Sequence, residues 1–411
     1  MSPEDKPMLK TPDYLTAQTL LLAAVTPVDT EQVSLSSAQG RILAADVIAA
    51  ESVPPFDRSP YDGYACRAAD TAAASETHPV TLRNLEEVPA GAVPSIPVTA
   101  HTAVKILTGA PLPEGADAIV KYELTEFTKE TVTLFSPLRS GENIVRAGED
   151  VRRGDVLARR GTRLDPGLSG LLASQGITEP LVYRTPKVGI LSIGNDVVDA
   201  EHVPAAGTIR DSNRYTLENA IRSLGCETVY LGIAKDSAED LRNRILSALS
   251  CCDAIVSTGG VSVGDYDRMP EAMELAGTNL LFRGTAMKPG MACAYGICQG
   301  KPICALSGNP ASSFTNFCVI ALPALKKLMG HADPFPTPIR VTLSGGFRKP
   351  SPIARFLRGK LELADGHARM TISRSQGNAV LSSTIGCNVM ALIPAGSGPI
   401  PSGTDLSAFL L

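Results

Sequence analysis

The residues with the clearest chemistry form the run Gly259-Gly260-Val261-Ser262-Val263-Gly264-Asp265-Tyr266-Asp267, preceded by Thr258. Glycines carry no Cβ, so the backbone N–H groups of Gly259 and Gly260 can approach a ligand closely and form a concave donor nest. Gly264 lies in the same run, and Thr258 and Ser262 add hydroxyl donors. Such a loop suits an anionic, phosphate-bearing ligand. Three further clusters share its character: Ser192-Ile193-Gly194-Asn195-Asp196, Met287-Lys288-Pro289-Gly290 and Leu306-Ser307-Gly308-Asn309-Pro310. Lys288 supplies a full positive charge. Ala311-Ser312-Ser313 open a helix, whose orphan N–H groups and dipole favour phosphate or carboxylate. Asp196, Asp236, Asp265 and Asp267 bring oxygen ligands of the kind that hold Mg²⁺ beside phosphate oxygens and water. Asp236 also stands where it would cap a helix starting near Ser237, and Asp267 where it would cap one running through Ala272 to Leu275. The sequence leaves both roles open at each position.

These clusters need elements that bring them to one place. Val188–Ile193 is a continuous apolar run, as expected of a strand buried on both faces. Leu217, Ala220, Ile221 and Leu224 follow at helical spacing, stopped by Gly225. Thr228–Ile233 reads as a second strand. Ser237 caps a second helix with Asp240 in its first turn, and Leu241, Ile245, Ala248 and Leu249 form its buried stripe. Ala254–Ser257 is a third strand, running into Thr258. Ile303–Leu306 is a later one, followed by a long helix ending near Gly330. Repeated β-α alternation predicts an open, mostly parallel sheet covered by helices, with ligands outside the carboxyl ends of the strands. If the sheet is parallel at these points, all four clusters share one edge. Before this block, residues 12 to about 184 carry an N-terminal helix over Tyr14–Val25, then short apolar runs broken by Pro and Gly, which suits strands and turns. After it comes the Pro-rich linker 331–338, and strand texture returns.

The bulk composition excludes several functions. A chain of 411 residues exceeds one ordinary core, and 44% hydrophobic against 19% charged residues suits globular folding. With 38 Lys+Arg against 42 Asp+Glu and no Trp, neither a basic stripe nor a base-stacking platform is evident, so no nucleic-acid partner is expected. Nine Cys without a C-x-x-C pair read as free, mostly buried thiols of a reducing cytoplasm. The five His, at positions 78, 101, 202, 331 and 367, do not cluster, which weakens a His triad or zinc site. Met1–Thr11 has no apolar signal core, and the stretch Phe317–Leu325 is too short to span a membrane. A soluble, cytoplasmic protein with no membrane partner is expected. No G-x-G-x-x-G follows the first strand and no P-loop occurs, so nicotinamide and P-loop nucleotide sites are disfavoured.

The motifs together resemble the MoeA family of molybdopterin molybdenumtransferases, to which the E domain of gephyrin also belongs. Thr258–Asp267, Met287-Lys-Pro-Gly290 and Gly308-Asn-Pro310 carry the likeness in the middle block. Phe56–Ala65 looks like the family's D-x-S-x-x-D-G-Y-A segment, and Leu107–Ala118 like its T-G-A-P-x-P-x-G-A-D-A segment. Asn143–Val151 looks like N-I-x-x-x-G-E-D, and Asp211-Ser-Asn-Arg214 like D-[ST]-N-R. They run in family order over almost the whole chain.

The resemblance implies a multi-domain α/β plus β protein working as an elongated homodimer. Residues 12–54 and 151–184 would form a discontinuous N-terminal domain and 55–150 an inserted mostly-β domain. Residues 185–330 would form the central open, mostly parallel α/β sheet domain of the molybdopterin-binding type, and 331–411 a small C-terminal β-barrel. The implied site lies between the α/β domain of one subunit and the inserted domain of the other. The implied reaction takes adenylylated molybdopterin and molybdate, hydrolyses the adenylate with Mg²⁺ or another divalent cation, and leaves molybdenum on the dithiolene. The pterin adenylyltransferase is a further implied partner. Carried onto this chain, Asp62, Thr108 and Asp150 come from the inserted-domain side, and Asp196, Asp236, Asp267, Lys288 and Pro310 from the α/β side. The catalytic set is then Asp62, Thr108, Asp150, Asp196, Asp236 and Asp267, with Asp236, Asp265 and Asp267 at the metal. Thr258, Gly259, Gly260, Ser262, Gly264, Lys288, Ser307, Gly308, Asn309, Pro310 and Ser312 contact the substrate. The bland alternatives are an Asx-turn at Asp62 and a turn cap at Thr108.

The chain departs from the family pattern at Asp196, where Glu is common, and at Met291-Ala292, which replace Lys-Pro. Gly284 replaces a basic residue, with Arg283 adjacent, and Ser307 stands where Pro is usual. After Asp267 the Lys-containing helix start reads Arg268-Met269-Pro270. Lost cations weaken an oxyanion site, since charge-assisted donors are the strong ones. The second reading is therefore a pterin- or oxyanion-binding scaffold, or an altered-specificity paralogue handling tungstate, on the same fold. A stand-alone pterin adenylyltransferase on the α/β block alone is weakened by Asp62-Gly63-Tyr64 and the segment around it.

Overall fold

The computed structural model describes residues 9–261, 268–364 and 366–411, with Leu9 and Lys10 as backbone only. Its contacts divide the chain into two compact units: 1–45, 160–165 and 179–411 form the first, and 46–159 with 166–178 the second.

The first unit begins with helix α1 (Tyr14–Ala24), capped by Asp13, whose carboxylate accepts the N–H groups of Leu15 and Thr16. The β-α block follows as strand β1 (Lys187–Ile193), helix α2 (Asn213–Ser223), β2 (Glu227–Ala234), α3 (Ala238–Leu249), β3 (Ala254–Thr258) and α4 (Met269–Leu275). Then come β4 (Asn279–Arg283), β5 (Cys293–Cys298) and β6 (Lys301–Leu306). The sheet order is Leu9–Lys10, β4, β5, β6, β3, β1, β2. Strands β6, β3, β1 and β2 are mutually parallel, with Ile190 opposite Val256 and Thr258 opposite Leu306. The expectation of a mostly parallel sheet holds for this core. Strand β5 runs antiparallel to both neighbours, which makes the sheet mixed. Because it reverses direction twice, β4 again points the same way as β6.

Alternation within the strands explains the two layers of helix. Val188 and Ile190 of β1, with Ala254 and Val256 of β3, pack on Leu21 of α1 and Leu217 and Ile221 of α2. Leu191 and Ile193, with Ile255, face the opposite way onto Leu241 and Ile245 of α3 and Met273 of α4. Successive side chains point to opposite faces, so a strand apolar at every position requires cover on both sides.

The long helix expected up to Gly330 is interrupted. It consists of α5 (Pro310–Asn316), a buried π-helical segment Phe317–Ala321, and α6 (Leu322–Leu328). Pro323 has no N–H to give to the carbonyl of Val319 one turn earlier. That carbonyl is met instead by Gln18 Nε2 of α1 at 2.6 Å, in a buried setting. Strands β7 (Pro338–Ser344), β8 (Ala354–Ala364), β9 (His367–Ile372), β10 (Val389–Ile393) and β11 (Asp405–Leu410) close into a barrel. Its order is β8-β9-β7-β11-β10, and β10 pairs back on β8. The core is built on Val341, Leu343, Leu357, Met370 and Val389. Met287–Lys288 adds a parallel strand to β8, so the Lys288 loop is anchored in the barrel sheet.

The second unit is centred on a six-stranded sheet in the order Ala118–Lys121, Gly63–Cys66, Thr102–Ile106, Val80–Val88, Thr131–Leu134, Thr125–Phe127. Tyr64 and Leu82 pack on one face of it, Ala65 and Val104 on the other. All nine cysteines are free thiols and most are buried, as expected. Among the described residues no helix is long and apolar enough to cross a membrane.

Replacing Gln18 by Met keeps the shape of the side chain and removes the donor to Val319. The buried carbonyl then goes unsatisfied, and chemical denaturation is expected to show a loss of about 1–3 kcal/mol. An unchanged midpoint would mean that the Gln18 bond contributes nothing.

Candidate functional site

The loops after β1, β2, β3, β4 and β6 leave the sheet at its carboxyl edge, where they line a cleft of about 1120 Å³. Asp196, Asp236, Gly259, Gly260, Lys288, Ser307, Gly308, Asn309 and Ser312 all border it. Four clusters from separate stretches of sequence thus share one cavity. Ser262, Gly264, Asp265 and Asp267 lie outside the described residues.

Two loops carry the carboxylates. The Asp236 carboxylate accepts the Asn195 N–H at 3.3 Å, and the Asn195 side-chain oxygen accepts the Asp236 N–H at 3.5 Å. This reciprocal pair ties the loop after β1 to the loop after β2. Capping of α3 falls to Ser237, whose hydroxyl accepts the Asp240 N–H, and Asp236 borders the cleft. Exposed Asp196 is set by its own carbonyl, which accepts the Ile209 N–H at 2.7 Å. Among the described residues no three acidic, His or Cys side chains group as a metal cage. The oxygen donors of Asp196 and Asp236 nevertheless fit Mg²⁺ in kind, because that ion commonly takes one or two carboxylates and completes its shell with water and phosphate.

The donor chemistry expected at Thr258 and Gly259 is corrected by the structure. Thr258 is buried, and its hydroxyl donates to the Ser307 carbonyl at 3.0 Å while accepting from Asn213 Nδ2 at 2.8 Å. It therefore has no proton left for a ligand. The Gly259 N–H donates to the Leu306 carbonyl at 2.9 Å, extending the β3–β6 ladder. Glycine is required there for a different reason: a Cβ would stand 2.1 Å from the Ile193 carbonyl oxygen. Gly259 lets two strand ends meet; it does not build the nest.

Asn213, the third residue of Asp211-Ser-Asn-Arg214, holds this edge together. Its Nδ2 donates both to Thr258 Oγ1 and to the Gly308 carbonyl, each at 2.8 Å. Asp211 is buried beneath it and accepts from the Ser192 hydroxyl and from the Arg214 N–H at 3.0 Å. The Arg214 guanidinium stacks 3.6 Å from the Tyr230 ring centroid. The motif thus braces the cleft from behind, a role its residue types alone did not reveal.

The cations enter from β4 and the loop after it. Arg283, at the carboxyl end of β4, lines the cleft with Lys288. Gly284 takes φ +74°, a conformation that disfavours a side chain, so the basic residue common there is replaced by its neighbour. The Lys288 loop is held by buried Asn316, whose Nδ2 donates to the Gly290 carbonyl at 2.6 Å and whose Oδ1 accepts from the Tyr295 hydroxyl. Met291, 43% exposed, and Ile209, 59% exposed, add an apolar lip.

At the α5 end, Ser307 replaces a proline yet fixes the same turn, its hydroxyl accepting the Asn309 N–H at 3.2 Å. Pro310 starts α5 at a position that needs no N–H and is not among the lining residues. The helix N-terminus is less open than expected, because the Ser312 N–H donates to the Asn378 carbonyl at 3.1 Å. Asn378, which sequence reasoning missed, itself lines the cleft. Beside it, fully buried Arg358 meets only neutral groups among the described residues: Ser383 Oγ at 3.0 Å, the Gly377 carbonyl at 3.3 Å and Thr315 Oγ1 at 3.4 Å. Neither residue carried a local signal, since they come from the barrel, far along the chain.

In the second unit, Asp62 and Thr108 prove to be one device. The Thr108 N–H and hydroxyl both donate to Asp62 Oδ1, each at 2.7 Å. These bonds hold the carboxyl below the usual carboxylate range. Asp62 thus makes no Asx-turn; its partner is 46 residues away. Gly63 is required because a Cβ would lie 2.0 Å from the Val120 carbonyl oxygen. Asp150 is exposed, placed by its N–H to the Val53 carbonyl at 3.0 Å.

Comparison with known proteins agrees with this architecture. Residues 13–176 match the MoeA N-terminal region (domain I and II), and residues 189–327 match a probable molybdopterin binding domain. The chain is 35% identical over 381 residues to the molybdopterin molybdenumtransferase of Staphylococcus aureus, covering 92% of this chain and 90% of that one. It is 34% identical over 387 residues to that of Bacillus subtilis, at 93% and 90% coverage. The crystal structure of the molybdopterin biosynthesis MoeA protein from Pyrococcus horikoshii superposes with a TM-score of 0.84 at 31% identity, covering 98% of this chain and 100% of that one. By fold, motif order and identity along nearly its whole length, the chain belongs to the MoeA family of molybdopterin molybdenumtransferases.

Proposed function

We propose that the chain acts in molybdenum cofactor biosynthesis, inserting molybdate into adenylylated molybdopterin while the adenylate is hydrolysed and AMP leaves. The observation that carries this reading is the pairing of opposite charges in one cleft. Asp196 and Asp236 stand at one group of loops, Arg283 and Lys288 at another, in a space of about 1120 Å³. Cations bind the oxyanions of molybdate and pyrophosphate, and the apolar lip of Met291 and Ile209 suits the flat pterin. Asp236, with Asp265 and Asp267, would hold a divalent cation such as Mg²⁺, which when bound neutralises pyrophosphate charge. Asp236 also orients the Asn195 loop, and Lys288 holds an oxyanion with a charge-assisted bond. Asp62 is the reactive member of its pair and Thr108 the positioning one. A homodimer supplied by the pterin adenylyltransferase belongs to the same reading.

The deciding experiment incubates the purified protein with adenylylated molybdopterin, Mg²⁺ and molybdate and follows AMP. Molybdate- and metal-dependent release is expected. Binding of the pterin without release would favour the scaffold reading, to which the thioether of Met291 in place of a cation lends support; release driven by tungstate alone would favour altered specificity.

Two substitutions test the residues. Asp236→Asn keeps an acceptor for the Asn195 N–H but removes the charge, and is expected to cut AMP release about 100-fold with the fold intact. Unchanged turnover would remove Asp236 from the site. Asn213→Ala leaves Thr258 and Gly308 without their shared donor. It is expected to raise the KM for the pterin about tenfold, a misplacement cost, and to lower the melting temperature. A variant with wild-type KM would show that the clamp does not position the loops.

A further inference from the structure

The amino edge of the same sheet carries a second cavity, of about 220 Å³, just before β1 and β2 begin. Four arginines line it, Arg41, Arg163, Arg184 and Arg222, and among the described residues no Asp or Glu does. The carboxylates stand behind them. Arg184 is clamped by Asp253 and lies 4.0 Å from Asp29, Arg222 is held by Glu218 at 2.6 Å, and Arg41 by Glu31 and by the Tyr183 carbonyl at 2.7 Å. Each guanidinium has five N–H groups in a planar fork, so a partner behind it fixes the fork and leaves other donors for the cavity. Arg163 has no carboxylate partner among the described residues. Its charge also reaches the residues after α6: burial, then Lys326 and Arg163, push His331 down to about 4.

We propose that this cavity is a second anion site, for a small multivalent oxyanion of the phosphate or pyrophosphate class. Guanidinium forks match phosphate oxygens two at a time, and a space of about 220 Å³ admits one or two phosphate groups. The site shares no lining residue with the carboxyl-edge cleft and does not depend on the reaction proposed there.

The test titrates the full chain with inorganic pyrophosphate at low ionic strength by calorimetry. Lys288→Gln removes a cleft cation and is expected to leave the second site binding as before. Arg163→Gln is the probing variant, since its exposed side chain makes no ion pair among the described residues. It should weaken that site at least tenfold, and Arg163→Lys should recover part of the loss. Wild-type binding that disappears in Lys288→Gln and survives in Arg163→Gln would assign the anion to the cleft and overturn the proposal. So would the absence of pyrophosphate binding in the Lys288→Gln protein at millimolar concentration. An Arg163→Gln chain with an altered melting curve is replaced by Arg41→Gln, judged by the same tenfold criterion.

Discussion

A single buried carboxamide joins the strand ends on which the cleft depends. Asn213 is 9% exposed, and its two donor bonds of 2.8 Å reach the loop after β3 and the loop after β6 together. Thr258 passes the connection to the Ser307 carbonyl, and Gly259 passes a second one to Leu306. Such a network is strong only while each member is satisfied, because a buried polar group without a partner costs about 1–3 kcal/mol. The loops must carry backbone polar groups, water is kept out of their base, and the helix start at Asn213 supplies what water would. Glycine at 259 follows from the same closeness, because β1 ends 2.1 Å from where its Cβ would be.

The fold was legible where a local pattern is enough. Apolar continuity marked β1 and β3, four-residue spacing marked α2 and α3, and Ser237 marked a helix start. Each depends only on neighbours in sequence. What escaped were effects between distant segments. The reversal of β5 rests on its antiparallel pairing with β6, yet Cys293–Cys298 is apolar enough for either direction. The carbonyl that Pro323 leaves in the π segment is met by Gln18, 301 residues away.

The site shows the same division. Residue types predicted which loops meet, and the cleft gathers nine of the residues chosen for binding or catalysis. They did not predict which atoms remain available. Thr258 has a hydroxyl and Gly259 an N–H, but both are consumed by the structure that brings them there. Thr108 and Asp62 each looked reactive alone, whereas one holds the other. A donor in sequence is only a capacity; the fold decides whether it faces inward or toward a ligand. Asn378 and Arg358 illustrate the converse, since polar residues in an otherwise ordinary barrel acquire meaning only when a loop folds back on α5.

The departures from the family pattern can now be weighed physically. At Ser307 a hydroxyl bond restrains the turn that a proline ring would restrain, so the backbone geometry is kept by another route. At Gly284 a left-handed backbone shifts the cation by one residue to Arg283, which still borders the cleft. Met291 has no such substitute: a thioether carries no charge, and the side chain is 43% exposed at the lip. Of these, Ser307 keeps the turn restrained and Arg283 keeps a cation at the cleft, whereas Met291 alters the local field. A cleft with fewer cations holds a doubly charged oxyanion less tightly, and more so as salt screens those that remain. On the proposed reading, selection among oxyanions would then rest more on the size and shape of the space between Lys288 and Ser312 than on charge, because Asn316 and Asn378 fix the backbone on either side of it.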